Sequence, residues 1–437
     1  MSIYDYEKVF GEWDRTGAPM RKAIDRWFSM YYDVSSDKST DSCQRLPYTI
    51  VNKLVKAVFG EYQATATTPF GQAILNSLND KKRLALQLAL VGGSCYIKPC
   101  PVGQGFSFTV VPRNQILVFG RDGDGNIIDL GLVEKRVEDN SFYTLLERRK
   151  VDADGYLTIS YRLFRSREAQ SIGTEISLKN VPAYAHLAES YCFQKPVGSV
   201  GLTEVKLPIL NCVDGSCDGV AVFAAAEGLI ANINRNEAQL NGEFARGESR
   251  IIASKDLLDG ALGLQDHLFV GLDEDPERVG LTIFSPQLRE KSFLERKQEY
   301  LRDVESMIGL RRGMLSDANM QDRTATEITV SSAEFSLTMH EFQVMWQQVL
   351  DKLMPLCAVL AELYGLPEHD TGKVTVDWGN GTLYDQEKIW ADYMEMVTKG
   401  ILKPEVALAW RFGMTGEKEQ AIREKLMPSA NTNRASS

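Results

Sequence analysis

Apolar positions along the chain change period several times, and each change marks an element. Over the first ninety residues the period is helical. In "PYTIVNKLVKAVFGEY" Ile50, Leu54 and Val58 share a face, with Lys53 and Lys56 off it. A second helix is predicted through "GQAILNSLNDKKRLALQLALV". At Gly92 the runs shorten. "SCYIKPCP", "FSFTVVP", "QILVFGRD", "NIIDLGLVEKRV", "FYTLLERRKV" and "YLTISYRLFRS" are separated by Gly, Asp, Asn and Pro. They predict a mainly antiparallel sheet from about Gly92 to Ser166. Helical period returns from about Pro208 to Gly247, where Val222, Ala226, Ile230, Ile233, Leu240 and Phe244 form a stripe that Glu237 interrupts. Gly247 stops that helix.

A compact mixed piece follows, about Ser249 to Ser285. Pro286 then opens a highly charged helix with a narrow seam of Leu294, Leu301, Val304 and Ile308. The loop "RRGMLSDANMQDR" is of a length that is usually functional or disordered. After it, Ile328, Phe335, Met339, Phe342, Trp346, Val349 and Leu353 recur at three-, four- and seven-residue steps. They predict one helix persisting to about Tyr364, on the order of 55 Å long at 1.5 Å per residue. Pro355 lies inside it and should kink it. Its start, "TATEITVSSAEF", reads as a capping box in which Thr324 and Glu327 exchange hydrogen bonds, worth about 1–2 kcal/mol. "KVTVDWGNGTLYD" reads as a strand and turn, then come two short helical segments, and the polar tail "PSANTNRASS" is expected to be disordered. Helices segregated from an antiparallel sheet give an α+β class.

Composition narrows the functions. The chain has 437 residues, 44% hydrophobic and 25% charged, enough for about two to four domains. Its formal charge is -10. Tight coating of nucleic acid needs clustered Lys and Arg, so an acidic chain is not expected to coat it; guiding DNA that slides rather than sticks is still compatible with that charge. The N-terminus "MSIYDYEKVFGEWDR" lacks the apolar core of a secretory signal. The best apolar run, Gly219–Ala231, is about thirteen residues against the roughly twenty a membrane span needs, so a soluble protein is expected. Seven scattered cysteines fit a reducing compartment without structural disulfides. The C-x4-C pairs Cys95/Cys100 and Cys212/Cys217 have spacing near that of zinc ligands, but Cys95 sits in a strand-like run and is better read as a small hydrophobe. No metal or cofactor is expected.

Catalytic motifs do not complete themselves. "GEFARGES" (Gly242–Ser249) has the glycine spacing of a phosphate-binding loop but Glu248 where Lys must meet phosphate. "GQGFSF" lacks the third glycine of a dinucleotide fingerprint, and "GGSCY" and "GSVG" do not complete a nucleophile elbow. Asp122, Asp124 and Asn126 have calcium-loop spacing, but Ile127 and Val133 occupy the positions that need Gly and Glu. A hairpin turn fits better. His186, His267, His340 and His369 are not at ligand spacing, and His340 reads as a surface or packing residue. Asp273/Asp275 and Asp385/Glu387 are indistinguishable from solvated faces. An enzyme is not expected.

In order, the pieces resemble the portal proteins of tailed bacteriophages, specifically the siphophage type. "ALVGGSCYIKP" is similar to the family's strand-entry segment, and "NIIDLGLVEKR" with "FYTLLERR" to its wing strands. "NRNEAQLNGEFARGESRIIASKDLL", with Glu243 in its helix, resembles the stem-to-clip passage. "PQLREKSFLERKQEYLRDVESMIGL" resembles the second stem helix. "DRTATEI" resembles the K-T-A-T-E segment opening the long helix after the tunnel loop, with Arg323 in place of Lys. "VTVDWGNGTLYDQE" resembles the W-D-D-x-x-x-x-D segment before the crown helices, with Gly379 in place of an acid, which puts any role of that acid in doubt. Each match alone is weak. Their order is fairly specific and covers most of the chain.

The resemblance implies a wing over 1–210, a first stem helix over 211–248, a clip over 249–285 and a second stem helix over 286–308. It further implies a tunnel loop over 309–323, a long kinked helix with a returning wing strand over 324–384, and a short crown with a disordered tail over 385–437. It implies a homo-oligomeric ring of about twelve subunits built on head-to-tail contacts, sitting at a capsid vertex of the virion after assembly in the host cytoplasm. Such a ring docks the terminase large subunit, then a head-completion or adaptor protein, meets the major capsid or scaffold protein, passes double-stranded DNA non-specifically, and hydrolyses nothing. A ring of about twelve copies at -10 each carries roughly -120, a field that repels phosphate and leaves DNA free to move. Arg311, Arg312 and Arg323, with Asn319 and Gln321, are the candidate DNA-facing groups, their contacts carrying no sequence information. Arg311 and Arg312 suit equally the C-terminal dipole of the preceding helix. Thr324, Glu327 and Pro355 are the candidate hinge of the long helix. Asp273, Glu274, Asp275 and Glu277 are candidates for partner docking. Glu295, Arg296, Glu299 and Arg302, with Lys297 and Asp303, are candidates for subunit pairing, or for an ordinary solvated face. Another ring-forming phage head–tail connector or baseplate protein remains the alternative, and an unrecognised cytosolic enzyme a second one.

Overall fold

The computed structural model describes residues 3–32, 42–138, 140–246, 250–254, 269–272, 282–284, 289–317, 325–379 and 386–411. The chain divides into two compact units, Met1–Val58 with Thr65–Thr375, and Phe59–Ala64 with Val376–Ser437. It is a mixed α+β protein.

In the larger unit a 3-10 turn and a single helical turn, α1 (Glu7–Phe10), lay Ile3 and Tyr6 on a sheet face made by Leu117, Phe119, Val133, Leu146 and Phe164. α2 (Ala18–Tyr32) buries Met20, Ile24 and Trp27, and α3 (Leu46–Val58) buries Ile50, Leu54 and Val58. β1 (Gln63–Ala66) precedes α4 (Pro69–Asn79) and α5 (Lys82–Gly92). These last two are where one helix was expected. Asn79 and Asp80 favour caps over helix interiors because their side chains compete for backbone groups. Asp80 is the C-cap of α4, and the Lys81 amide turns back to the Leu78 carbonyl. Thr68 caps the start of α4, accepting from the Gly71 amide at 3.2 Å, with Pro69 in the first turn.

The strands follow as β2 (Ser94–Val102), β3 (Gly105–Pro112), β4 (Ile116–Arg121), β5 (Ile127–Glu138), β6 (Ser141–Val151) and β7 (Leu157–Ser166). Three short ones come next: β8 (Thr174–Ile176), β9 (Ser190–Cys192) and β10 (Thr203–Lys206). β4 to β8 pair in sequence order, with β9 also on β7, while β10, β2 and β3 form a separate three-stranded sheet. Every pairing in both sheets is antiparallel. The Asp122 turn closes the β4–β5 hairpin: its Oδ1 accepts from the amides of Asp124 at 3.0 Å and Asn126 at 2.8 Å. Buried charges are paired inside the sheets. Arg149 donates to Glu147 at 2.5 Å and to the carbonyls of Val200 at 3.0 Å and Gly201 at 3.2 Å, and Lys98 reaches the other Glu147 oxygen. Burial alone would push the Glu147 carboxyl up, but Arg149 and Lys98 together outweigh it and hold the group below the usual carboxylate range.

α6 (Glu227–Arg246) is shorter than the periodicity predicts. Val222 and Ala226 are buried as expected, but they belong to turns before the helix. Ahead of them "NCVDGSC" is wound around Asn211, which accepts from the amides of Val213 at 2.8 Å and Asp214 at 3.1 Å. Short polar residues have captured the backbone that a helix would need. β11 (Arg250–Ser254), β12 (Phe269–Leu272) and β13 (Thr282–Phe284) make a three-stranded sheet with β11 central, parallel to β12 and antiparallel to β13. α7 (Glu290–Met307) follows; Pro286, expected to open it, lies outside the described residues. α8 (Ala325–Leu363) has 39 residues, about 58 Å at 1.5 Å per residue. It buries Met339, Phe342, Trp346, Val349 and Leu353, and packs on α3 and β10. Helical structure continues without a break through Pro355. β14 (Val374–Asp377) pairs with β1.

In the smaller unit Trp378 packs on Tyr62 at 5.0 Å and Phe59 at 6.5 Å. α9 (Gln386–Thr398) and α10 (Pro404–Arg411) join through an edge-on contact of Tyr393 and Trp410 at 5.0 Å. Gly379 has φ +68, and a Cβ there would lie 1.9 Å from Oε2 of Glu61. A side chain at this position would be strained by the positive φ and would have to displace Glu61.

Candidate functional site

The charged helices α6 and α7 form an antiparallel hairpin joined by polar side chains. Glu243 accepts two hydrogen bonds from Arg289, at 3.0 and 2.7 Å. Asn236, buried, donates to the Phe293 carbonyl at 3.0 Å. Glu237 pairs with Lys297 Nζ at 2.9 Å, and Lys297 also donates to Gln44 at 2.9 Å. Asn236 and Glu237 meet Phe293 and Lys297, while Glu243, further along α6, meets Arg289 ahead of α7, so the two helices run antiparallel. The Glu237 that interrupts the apolar stripe thus has its cation on the facing helix. At its start α6 is held by Glu227, which accepts from Arg26 at 2.6 and 3.1 Å and from the Trp27 indole.

Beyond α7 the chain turns sharply. Gly309, φ +70, ends the helix: its amide bonds the Ser306 carbonyl and the Leu310 amide bonds the Glu305 carbonyl at 2.8 Å. A Cβ on Gly309 would sit 2.3 Å from the Thr338 hydroxyl of α8, so glycine is required twice over. The chain then runs back along α7. The Met314 amide bonds the Arg311 carbonyl at 3.1 Å, and Gly313 at φ +88 occupies the third turn position, the signature of a type II turn.

Glu305 holds that turn. It is 0% exposed. Its Oε1 accepts from the amides of Gly313 at 3.1 Å and Ser316 at 2.9 Å, and from that of Leu315; its Oε2 accepts from the Ser316 hydroxyl at 2.8 Å. A carboxylate in the last turn faces the negative end of the helix dipole, and charge-assisted bonds from the loop offset that cost. Seven residues earlier, on the same face, Gln298 accepts from the Asp317 amide at 2.8 Å. The sequence did carry a signal for Glu305: it lies four residues after Leu301 and three before Ile308, on the buried seam. Periodicity alone treats such an acid as a surface charge.

The outcome for the predicted residues is uneven. Arg311 and Arg312 are exposed at the turn that Glu305 braces. Asn319, Gln321, Arg323 and Thr324 lie outside the described residues, as do Asp273, Glu274, Asp275 and Glu277. Glu327 falls within α8, but its side chain is not among those described. Pro355 is exposed, between buried Met354 and Leu356. Much of the charge offered for subunit pairing is engaged along its own helix. Arg296 donates to Glu299 at 2.8 Å and stacks over Tyr300 at 4.2 Å, and Lys291 lies 3.8 Å from Glu295. Arg302 is half-buried. Exposed pairs of this kind are screened by solvent and add little stability, so they can exchange partners at little cost. Leu294 and Phe244, expected inside the seam and the stripe, are each 44% exposed at the far end of the hairpin.

None of the seven cysteines is in a disulfide. Cys95 is buried in β2 against the Ala85 carbonyl, while Cys212 and Cys217 are exposed in the Asn211 loop. Among the described residues no three His, Cys, Asp or Glu side chains gather at metal-binding distance, and no helix is long and apolar enough to cross a membrane. His340 is exposed on α8. Comparison of the chain with models of known protein families and with curated proteins gives no match.

Proposed function

We propose that this chain is the subunit of a portal-type ring of a tailed bacteriophage, through which a packaging motor drives double-stranded DNA into the capsid and through which the DNA later leaves. The observation that carries the reading is one succession of elements. An antiparallel helical pair, α6 and α7, brackets a small three-stranded sheet; a braced turn with two exposed arginines follows, and then a 39-residue helix. In this reading α6 and α7 are the stem, the β11–β13 sheet the clip, the β-rich region the wing, and α9 with α10 a small crown. The assembly is a homo-oligomer of about twelve copies with head-to-tail contacts. The clip meets the terminase or, later, an adaptor protein, and the wing meets capsid or scaffold protein. No catalytic step is assigned to the chain.

The physical division of labour is simple. A net negative ring keeps DNA from adhering. Arg311 and Arg312 supply local, sequence-independent contacts with passing phosphates. Negative-stain microscopy of the purified protein should show rings with an axial channel. Changing Arg311 and Arg312 to Glu should lower the DNA packaged per head while rings still form. A stable monomer or dimer at micromolar concentration would overturn the ring. Intact rings with unchanged packaging would overturn the DNA-facing role and favour a connector or baseplate component.

A further inference from the structure

We infer that Glu305 is a positioning residue for the arginine turn: without touching DNA, it sets Arg311 and Arg312 to meet phosphate. The inference rests on the portal reading above and adds to it a specific group. Three observations support it. Glu305 is fully buried in the last turn of a helix, at the negative end of its dipole, where packing alone gives no reason for an acid. Both of its oxygens are taken by groups of one short segment: the amides of Gly313, Leu315 and Ser316 and the Ser316 hydroxyl. That segment carries the two arginines at the first and second positions of the turn closed by Met314. A flexible loop would spend binding energy on ordering its backbone at each phosphate contact. A turn already tied to the helix does not. Gln298, two helical turns back, ties the next residue, Asp317, to the same face. Glu305 and Gln298 together make α7 the template for the loop.

The test uses the assembled full-length protein, short double-stranded DNA of random sequence, and two readouts. Amide exchange at Gly313, Leu315 and Ser316 reports the clamp. The slope of log affinity against log salt reports the phosphate contacts, roughly 0.9 per cation that meets the duplex. Glu305→Ala should speed exchange at those amides at least about tenfold, as expected for losing several charge-assisted bonds. It should also lower the salt slope to that of the Arg311→Ala/Arg312→Ala variant. Glu305→Gln keeps an acceptor oxygen for the amides and should restore most of both readouts. Should Glu305→Ala fail to assemble, Ser316→Ala, which removes one donor and keeps the carboxylate, should move both readouts the same way by less. Faster exchange with an unchanged slope would overturn the positioning role and leave the portal reading intact. Unchanged exchange would show that the clamp does not hold the turn, with the same consequence. An arginine double variant with an unchanged slope would overturn the DNA-facing reading and this inference with it.

Discussion

Exchanging the charges of Glu237 and Lys297 asks whether one ion pair sets the register of the α6–α7 hairpin. The groups are 2.9 Å apart, and their side chains are 20% and 21% exposed. At that separation, with an effective dielectric constant near 20, their attraction is about 6 kcal/mol before desolvation. Withdrawing both charges from water cancels most of it. The net coupling should be about 1–3 kcal/mol, above that of an exposed pair and below the cost of breaking a fully buried one. Lys297→Glu alone opposes two carboxylates and removes the donor that reaches Gln44. Glu237→Lys alone opposes two ammonium groups. The double exchange restores the attraction, and the Gln44 amide can rotate to offer its nitrogen. A chain of two units is not suited to a single unfolding midpoint, so the readout should be local. Amide exchange along α6 serves, because it reports the opening of that helix. Each single reversal should speed exchange about 5- to 150-fold, and the double exchange should return it to within about threefold of the starting protein. Single reversals without effect, or a double variant as loose as the two singles combined, would refute the pair as the register device.

Other expectations follow from the same packing. Trp346, 0% exposed in α8, should cost about 3–5 kcal/mol when changed to Ala, read from the speeding of amide exchange along α8; a loss below about 1 kcal/mol would mean that α8 is not seated on the core. Gly379→Asp should disrupt the Trp378 cluster and change its fluorescence, because φ is +68 and Glu61 occupies the space; an unchanged spectrum would contradict the close approach. Glu147 has its carboxyl held low in the folded state, so its contribution is present above the unfolded value and is lost as pH falls through the folded one. Glu147→Gln should therefore cost stability at neutral pH and progressively less toward acid. Parallel stability curves for the two proteins would refute this.

Local pattern made much of this fold legible. Alternating apolar runs marked the hairpins from Gly92 to Ser166 because those strands pair with their sequence neighbours. The stripe on α8 was readable because one face is buried through Met339, Phe342, Trp346 and Leu353. What escaped was decided by partners distant in sequence or by side chains competing for the backbone. β10 pairs with β2 across about a hundred residues, and nothing local in "TEVK" announces it. Asn211 and Asp80 diverted backbone that the apolar period assigned to helix. Glu237 and Glu305 both broke apolar seams. In the sequence Glu237 reads only as an interruption and Glu305 as one more surface charge, since the cation or amides that satisfy an acid cannot be read from its own segment. The candidate site was half legible for the same reason: Arg311 and Arg312 stand out in a polar loop, whereas the group that braces them looks like one more surface charge.

The place of α8 in the chain bears on how the protein is made. The sheet of consecutive hairpins needs only local closure and can form as it is synthesised. The helical layer cannot be finished so early. α3 is complete at Val58, yet the buried face of α8 that packs near it begins at Met339. At roughly 5–20 residues per second, a ribosome takes about 15–55 s to cover that distance. Throughout that interval α2 and α5 can already pack on α3, but the part of its surface that α8 takes waits for its cover, a window in which a holding chaperone would gain most and a truncated product would aggregate most readily.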